Sequence, residues 1–220
     1  MGLLAAIIGF YVSMAHLPPQ WNIFRREHMA IHGAILSPVS ALVKLEEQTK
    51  ATNPPTELSL EPTDYVRQLP ETIGRLTTLS RLTIYGQGMR TLPNSIGELT
   101  HLQTLVIINT PLTSLPESIG NLRELEYLEI AGTNIRSLPA SIGNLTHLKG
   151  LVLAYNQLDT LPVTLQRLTA LVELDLTGNN LQQIPTLPPH LTFIFLGGNR
   201  IPRSDLRALR DAHTIKGVHY

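Results

Sequence analysis

The sequence contains no cysteine. That absence removes disulfides, thiolate metal sites and any cysteine nucleophile, and it suits a reducing compartment. Net charge is missing as well: 17 basic and 17 acidic side chains cancel, so no overall field draws the chain toward nucleic acid or an acidic membrane surface. A hydrophobic fraction of 43% marks a folded rather than a disordered chain, and 220 residues are enough for one domain with a real core.

A long apolar run is also lacking. The segment GLLAAIIGFYVSMAHL, from Gly2 to Leu17, has no formally charged side chain over sixteen residues. A spanning helix needs about 20 apolar residues, and a secretory signal wants a basic residue ahead of its apolar run. Two readings stay open for residues 1–27. One is a short membrane anchor or uncleaved signal with Trp21 at the interface and Arg25 and Arg26 on the cytoplasmic side. The other is a buried capping helix, or a start misassigned ahead of Met29.

What the chain does have is a period. Leu-Pro recurs at Leu69, Leu92, Leu115, Leu138 and Leu161, each 23 residues after the last, with Ile184-Pro185 next. Ten residues after each of the first five begins Leu-x-x-Leu-x-Leu: Leu79, Leu82, Ile84; Leu102, Leu105, Ile107; Leu125, Leu128, Ile130; Leu148, Leu151, Leu153; Leu171, Leu174, Leu176. Alternation of that kind predicts short strands. Each strand is followed by a polar residue, Gln87, Thr110, Thr133, Asn156, Asn179 and, in the last copy, Asn199. The fixed residues must face inward and be shared by neighbouring coils, because one repeat cannot bury its own apolar side.

Over residues 56–203 this pattern resembles the leucine-rich repeat, in the intracellular 23-residue LPxxIGxL form. The resemblance implies an α/β solenoid: a right-handed horseshoe whose short parallel strands line the concave side. It also implies that the Asn-position side chain bonds backbone of adjacent coils, a role that Thr or Gln imitates only in part. Pro is expected to open a short helical turn on the convex side, with Gly97, Gly120 and Gly143 permitting a tight bend or close packing. The last copy steps only 20 residues, from Leu171 to Leu191, because Pro188 and Pro189 exclude a helical turn. That shortening is similar to the IpaH and YopM effectors of bacteria. An imperfect first strand around Leu58 and Leu60 brings the expected total to seven.

Solenoid ends need caps. SPVSALVKLEEQTK predicts an N-terminal capping helix within residues 28–55, with Ser37 as N-cap and Pro38 in the first turn. At the other end Ser204 is expected to cap a helix over residues 204–220, with Leu206, Leu209 and Ile215 closing the last coil. The phrase IPRSDLRALRDA resembles the helix after the repeats of IpaH-type ubiquitin ligases, but without cysteine their transfer chemistry has no nucleophile here.

No catalytic constellation, cofactor motif or metal set emerges. His28 and His32 stand four apart with no third ligand or general-base Glu in register, and His101 and His147 fall two coils apart at equivalent solvent positions. Asn144-Leu145-Thr146 is read as a chance glycosylation pattern. The chain is therefore read as a non-enzymatic binding module.

Side chains flanking the inner aliphatics point away from the core. Coil by coil that face carries Glu57, Ser59, Glu61; Arg81, Thr83, Tyr85; Thr104, Val106, Ile108; Tyr127, Glu129, Ala131; Gly150, Val152, Ala154; Glu173, Asp175, Thr177; Phe193, Phe195, Gly197. Val106, Ile108, Tyr127 and Val152 make an apolar centre bordered by Glu129, Glu173 and Asp175, and an exposed patch of that kind marks a partner site. The expected ligand is a protein or peptide. β-Branched residues also favour strands for packing alone, and the N-terminal segment is a rival occupant of the groove. The resemblance to effectors implies action in the cytoplasm or, after delivery, in a host cytosol. A membrane-tethered scaffold, or the recognition half of a ligase without its catalytic domain, are the alternatives.

Overall fold

The computed structural model describes residues 50, 52, 54–60, 66–86, 88–211 and 215–220. The chain divides into two units, Met1–Ile35 and Leu36–Tyr220, and every described residue belongs to the second. The apolar segment 2–17, the histidines 28 and 32, most of the expected N-terminal cap and Gln87 lie outside the described residues.

The 23-residue spacing sets one strand per coil. β1 (Glu57–Leu60), β2 (Arg81–Tyr85), β3 (Thr104–Ile108), β4 (Tyr127–Ala131), β5 (Gly150–Val152), β6 (Glu173–Asp175), β7 (Phe193–Phe195) and β8 (Gly217–His219) form one parallel sheet in sequence order. Leu58, Leu82, Leu105, Leu128, Leu151, Leu174, Ile194 and Val218 stand in register across all eight strands. That is the ladder the repeat demands. The 20-residue step keeps it, since Leu174 pairs with Ile194.

Opposite the sheet run, among the described residues, five 3-10 turns, Glu71–Arg75, Asn94–Glu98, Glu117–Asn121, Ala140–Asn144 and Val163–Arg167. Each begins one residue after a proline whose ring fixes φ between −65° and −71°. A helix start has no partner for that N–H, so proline loses nothing there. The proline carbonyl instead accepts from the buried residue three on, as Pro116 does from Ile119 at 3.1 Å. Glycine four residues after the proline serves close packing rather than a bend. A Cβ on Gly97, Gly120 or Gly143 would lie 2.4 to 2.5 Å from the carbonyl oxygen of Ser118, Ser141 or Thr164 in the next coil. Between sheet and turns the aliphatic ladders form one core, with Leu82, Ile96, Leu105, Ile119, Leu128, Ile142 and Leu151 wholly excluded from water. Pro188 and Pro189 leave the last coil without a 3-10 turn.

The C-terminus departs from expectation in two ways. The capping helix, α1, covers only Arg203–Asp211, and a strand follows it, giving eight strands rather than seven. Ser204 is not its cap: the Pro202 carbonyl accepts from Asp205 at 3.0 Å and Leu206 at 3.2 Å, while the Ser204 hydroxyl donates to Asp205. The apolar reading stands, since Leu206 and Ile215 are buried and Leu209 packs against the core.

Candidate protein-binding face

Because strand side chains alternate, the residues between the core aliphatics share the sheet's other face. The registers place Arg81, Thr104, Tyr127, Gly150, Glu173 and Phe193 in one row and Thr83, Val106, Glu129, Val152, Asp175 and Phe195 in the next. Tyr85, Ile108 and Ala131 continue a third. The face positions read from the sequence in β2 to β7 therefore lie on a single face.

Exposure is where expectation fails. The apolar centre was expected to face water, yet Val106 is 1% exposed, and Ile108, Val152 and Phe195 are buried too. Arg81, Tyr85, Tyr127 and Phe193 are partly buried. Alternation shows which way a side chain points and is silent on whether water reaches it. Among the described elements, strand packs on strand and 3-10 turn on 3-10 turn, with α1 beside β8.

Carboxylates gather at the middle of this face. Tyr127 Oη donates to Glu129 Oε2 at 3.0 Å. Glu129 is 1% exposed, and its other oxygen, Oε1, is buried without a hydrogen-bond partner among the described residues. Two strands along, Glu173 and Asp175 are buried as well, and Asp175 Oδ1 accepts from the Thr177 N–H at 2.8 Å. Between them stands Gly150, which contributes no side chain, so nothing from β5 separates Tyr127 from Glu173 in their row. Burial pushes the Glu129 carboxyl up to about 7, with Asp175 and Glu173 adding to the rise against the Tyr127 hydrogen bond. Burial, then the charge of Asp175, lifts Glu173 to about 7. The Tyr127 phenol is held well above its ordinary range by burial and then by Glu129.

At the ends of the face the contacts differ. Arg81 pairs with Glu57 at 3.7 Å near β1. At β7 the Phe195 ring stacks on His219 with centroids 4.7 Å apart. His219 escaped the sequence reading because a helix was expected there, although the alternating GVH, with its β-branched valine, is a short strand signal. His101 and His147 are indeed equivalent, each ring Nδ1 lying beside a carbonyl of the preceding coil, Thr77 at 3.1 Å and Arg123 at 2.8 Å.

A stack of similar coils presenting one face of variable side chains defines a class: the solenoid repeat proteins. The family model for the leucine-rich repeat region matches residues 57–126 and 96–187, more than half of the chain. The chain belongs to the leucine-rich repeat family, whose members typically mediate protein–protein interaction without catalysis. Among solved structures it is similar to a leucine-rich repeat protein of Leptospira interrogans, at 28% identity and TM-score 0.64, covering 74% of this chain and 48% of that one. It is similar to an internalin of Listeria monocytogenes at 27% identity and TM-score 0.58, covering 74% and 47%. A third is the leucine-rich repeat ectodomain of the Arabidopsis thaliana membrane receptor kinase GASSHO1/SCHENGEN3, in complex with CASPARIAN STRIP INTEGRITY FACTOR 2. Here identity is 28%, TM-score 0.54 and coverage 61% and 17%. No curated protein sequence matches the chain. The chain spans about half the length of the first two structures.

Proposed function

We propose that this chain binds a protein or peptide through the sheet face running from Arg81 and Tyr85, across Val106, Ile108, Tyr127, Glu129 and Val152, to Glu173, Asp175, Phe193 and Phe195. The observation that carries the reading is the contrast between faces. Inward positions repeat aliphatic side chains in every coil, while outward ones in the same strands change from Arg to Val to Glu to Phe. A face kept only for folding would have no reason to place Glu129 and Asp175 on either side of Val152. The plant receptor ectodomain, a leucine-rich repeat region in complex with CASPARIAN STRIP INTEGRITY FACTOR 2, supports a ligand-binding reading. Val106 and Glu129 are buried, so a partner meets the face first at the partly buried Arg81, Tyr85 and Phe193.

The finer reading is an effector-like module acting in a cytosol, that of its own cell or of a host. It rests on the 23-residue coils, the shortened Pro188-Pro189 coil and two bacterial structural neighbours. The membrane-tethered alternative depends on residues 2–17; among the described residues no helix is long and apolar enough to cross a membrane. Affinity capture with the full chain tests the binding reading. Arg81→Glu and Phe193→Ala, at partly buried positions, should each cut recovery of a specific partner several-fold with the fold intact by circular dichroism. Equal recovery of every captured protein by both variants would remove the face from consideration.

A further inference from the structure

The ladder between coils runs on past the strands, and one of its later positions holds a side chain that the backbone there disfavours. Asn109, Gly132, Tyr155 and Gly178 occupy the same place in successive coils. Their N–H groups donate to the carbonyls of Ala131, Ala154, Thr177 and Gly197 in the coil that follows, at 2.9, 3.0, 2.7 and 2.7 Å. All four lie in the left-handed region, with φ of 54°, 64°, 56° and 69°. Glycine adopts that backbone freely and asparagine tolerates it, whereas a bulky aromatic residue there is an outlier. The coil imposes the conformation, so the strain at Tyr155 comes from the choice of residue: Gly132 and Gly178 make the same hydrogen bond without it. Strain that the fold does not require concentrates at sites that grip a ligand.

Gly178 makes room for the Tyr155 ring, since a Cβ on it would lie 2.7 Å from Tyr155 Cδ1 and 3.1 Å from Cε1. Tyr155 nevertheless stays partly exposed, one residue beyond the face position Ala154. It thus stands at the rim of the proposed face, braced against the next coil and open to water. The positions beside it, Ala131, Ala154 and Thr177 in the row and Gly132 and Gly178 along the rim, carry no charge.

We infer that Tyr155 is the aromatic anchor of the proposed face and packs against an apolar side chain of the protein or peptide partner. The inference rests on that face and extends it to a residue the sequence reading left out. A tyrosine ring offers a large contact area at little conformational cost, less still when packing already fixes it, and such residues dominate binding energy at protein interfaces. The uncharged surroundings favour an apolar partner group, because a charge brought against them would lose water and gain no counter-ion.

The test is phage selection of random dodecapeptides on the full chain, with the affinity of the selected peptides measured by fluorescence anisotropy and the thermal midpoint recorded for each variant. Loss of binding on Arg81→Glu together with Phe193→Ala reports dependence on the face. Tyr155→Gly removes ring and strain together. It should weaken the face-dependent peptides by about 30-fold, the scale of an interface hot spot, while melting no lower than the unaltered chain. Tyr155→Phe, which keeps the ring, should restore the affinity that Tyr155→Gly loses, and failure to restore it would assign recognition to the hydroxyl and overturn the apolar contact. Face-dependent peptides that bind Tyr155→Gly undiminished, or that share no apolar residue, overturn the inference and leave the face standing. A lower midpoint for Tyr155→Gly makes the ring a folding element and overturns it as well. A selection indifferent to Arg81 and Phe193 overturns both.

Discussion

The first and second halves of the solenoid repeat the same aliphatic pattern but close their coils differently. In the second half Asn156, Asn179 and Asn199 each turn a side-chain amide onto two backbone carbonyls, one in their own coil and one in the coil before. For Asn179 these are Leu176 and Leu153, both at 2.9 Å, and for Asn199 they are Leu196 at 2.9 Å and Leu176 at 2.8 Å. The Asn179 and Asn199 carbonyl oxygens also accept the Leu158 and Leu181 N–H groups. In the first half the sequence has Gln87, Thr110 and Thr133 at this position. Thr133 spends its one donor on Asn156 Oδ1, and Thr110 Oγ1 is buried without a hydrogen-bond partner among the described residues. The strands differ in step: β2, β3 and β4 run five residues, β5, β6 and β7 three. Asparagine claims the carbonyl three residues back, at the residue that follows β5, β6 and β7. A hydroxyl has one donor where the amide has two, and in the Thr133 coil the corresponding Ile130 carbonyl takes its side-chain donor from Asn156 of the next coil. Coils of one family are thus held by side-chain amides at one end and by longer strands at the other.

The largest effect that separates the halves is expected from Asn179→Ala. It orphans the Leu158 N–H and takes one hydrogen bond from each of two buried carbonyls, which keep Asn156 and Asn199 as donors; the cost in denaturant unfolding should be about 3 kcal/mol, given about 1–3 kcal/mol for an orphaned group and about 1 kcal/mol for each hydrogen bond lost. Gly120→Ala tests what the halves share. Its methyl would sit 2.5 Å from the Ser141 carbonyl, and the forced separation of coils should cost about 1–3 kcal/mol. The acidic centre, at the seam of the halves, gives a pH signature. Glu129 is raised from 4.5 unfolded to about 7 folded, so the native state holds the proton more tightly. Its contribution is fully present below about 4.5 and lost as pH rises to about 7, at up to about 1.4 kcal/mol per unit. Glu173 acts the same way, and Glu129→Gln should flatten the slope in thermal melts across that window. The smallest effect is Thr110→Val, near neutral or stabilising by up to about 1 kcal/mol because the lost hydroxyl bonds nothing. A loss as large as that of Asn179→Ala would erase the distinction between halves.

Much of the coil was legible before any coordinates. Leu-Pro at constant intervals placed the start of every 3-10 turn, and Leu82, Leu105, Leu128, Leu151 and Leu174 formed the expected ladder. The face residues fell together because alternation and register are set by that ladder. Less legible was β8, whose three residues carry no Leu-x-x-Leu-x-Leu and follow a helix that hid the next coil. Whether Gly97, Gly120 and Gly143 bend the chain or admit a neighbour was also open. The carbonyl oxygen of the next coil, which would stand only 2.4 to 2.5 Å from an added Cβ, decided for the neighbour.

By itself the sequence determined the architecture, since a repeated aliphatic stripe has no way to leave water except against its own copies, and that fixes strand order, register and which side chains share a face. The tertiary structure alone decided the chemistry of that face. Water is shut away from Val106 and Glu129, Tyr127 reaches the Glu129 carboxyl, and Gly150 opens the row toward Glu173. Desolvation and charge proximity depend on distances across coils, and residues 23 or 46 apart in the chain show no such distance in their order.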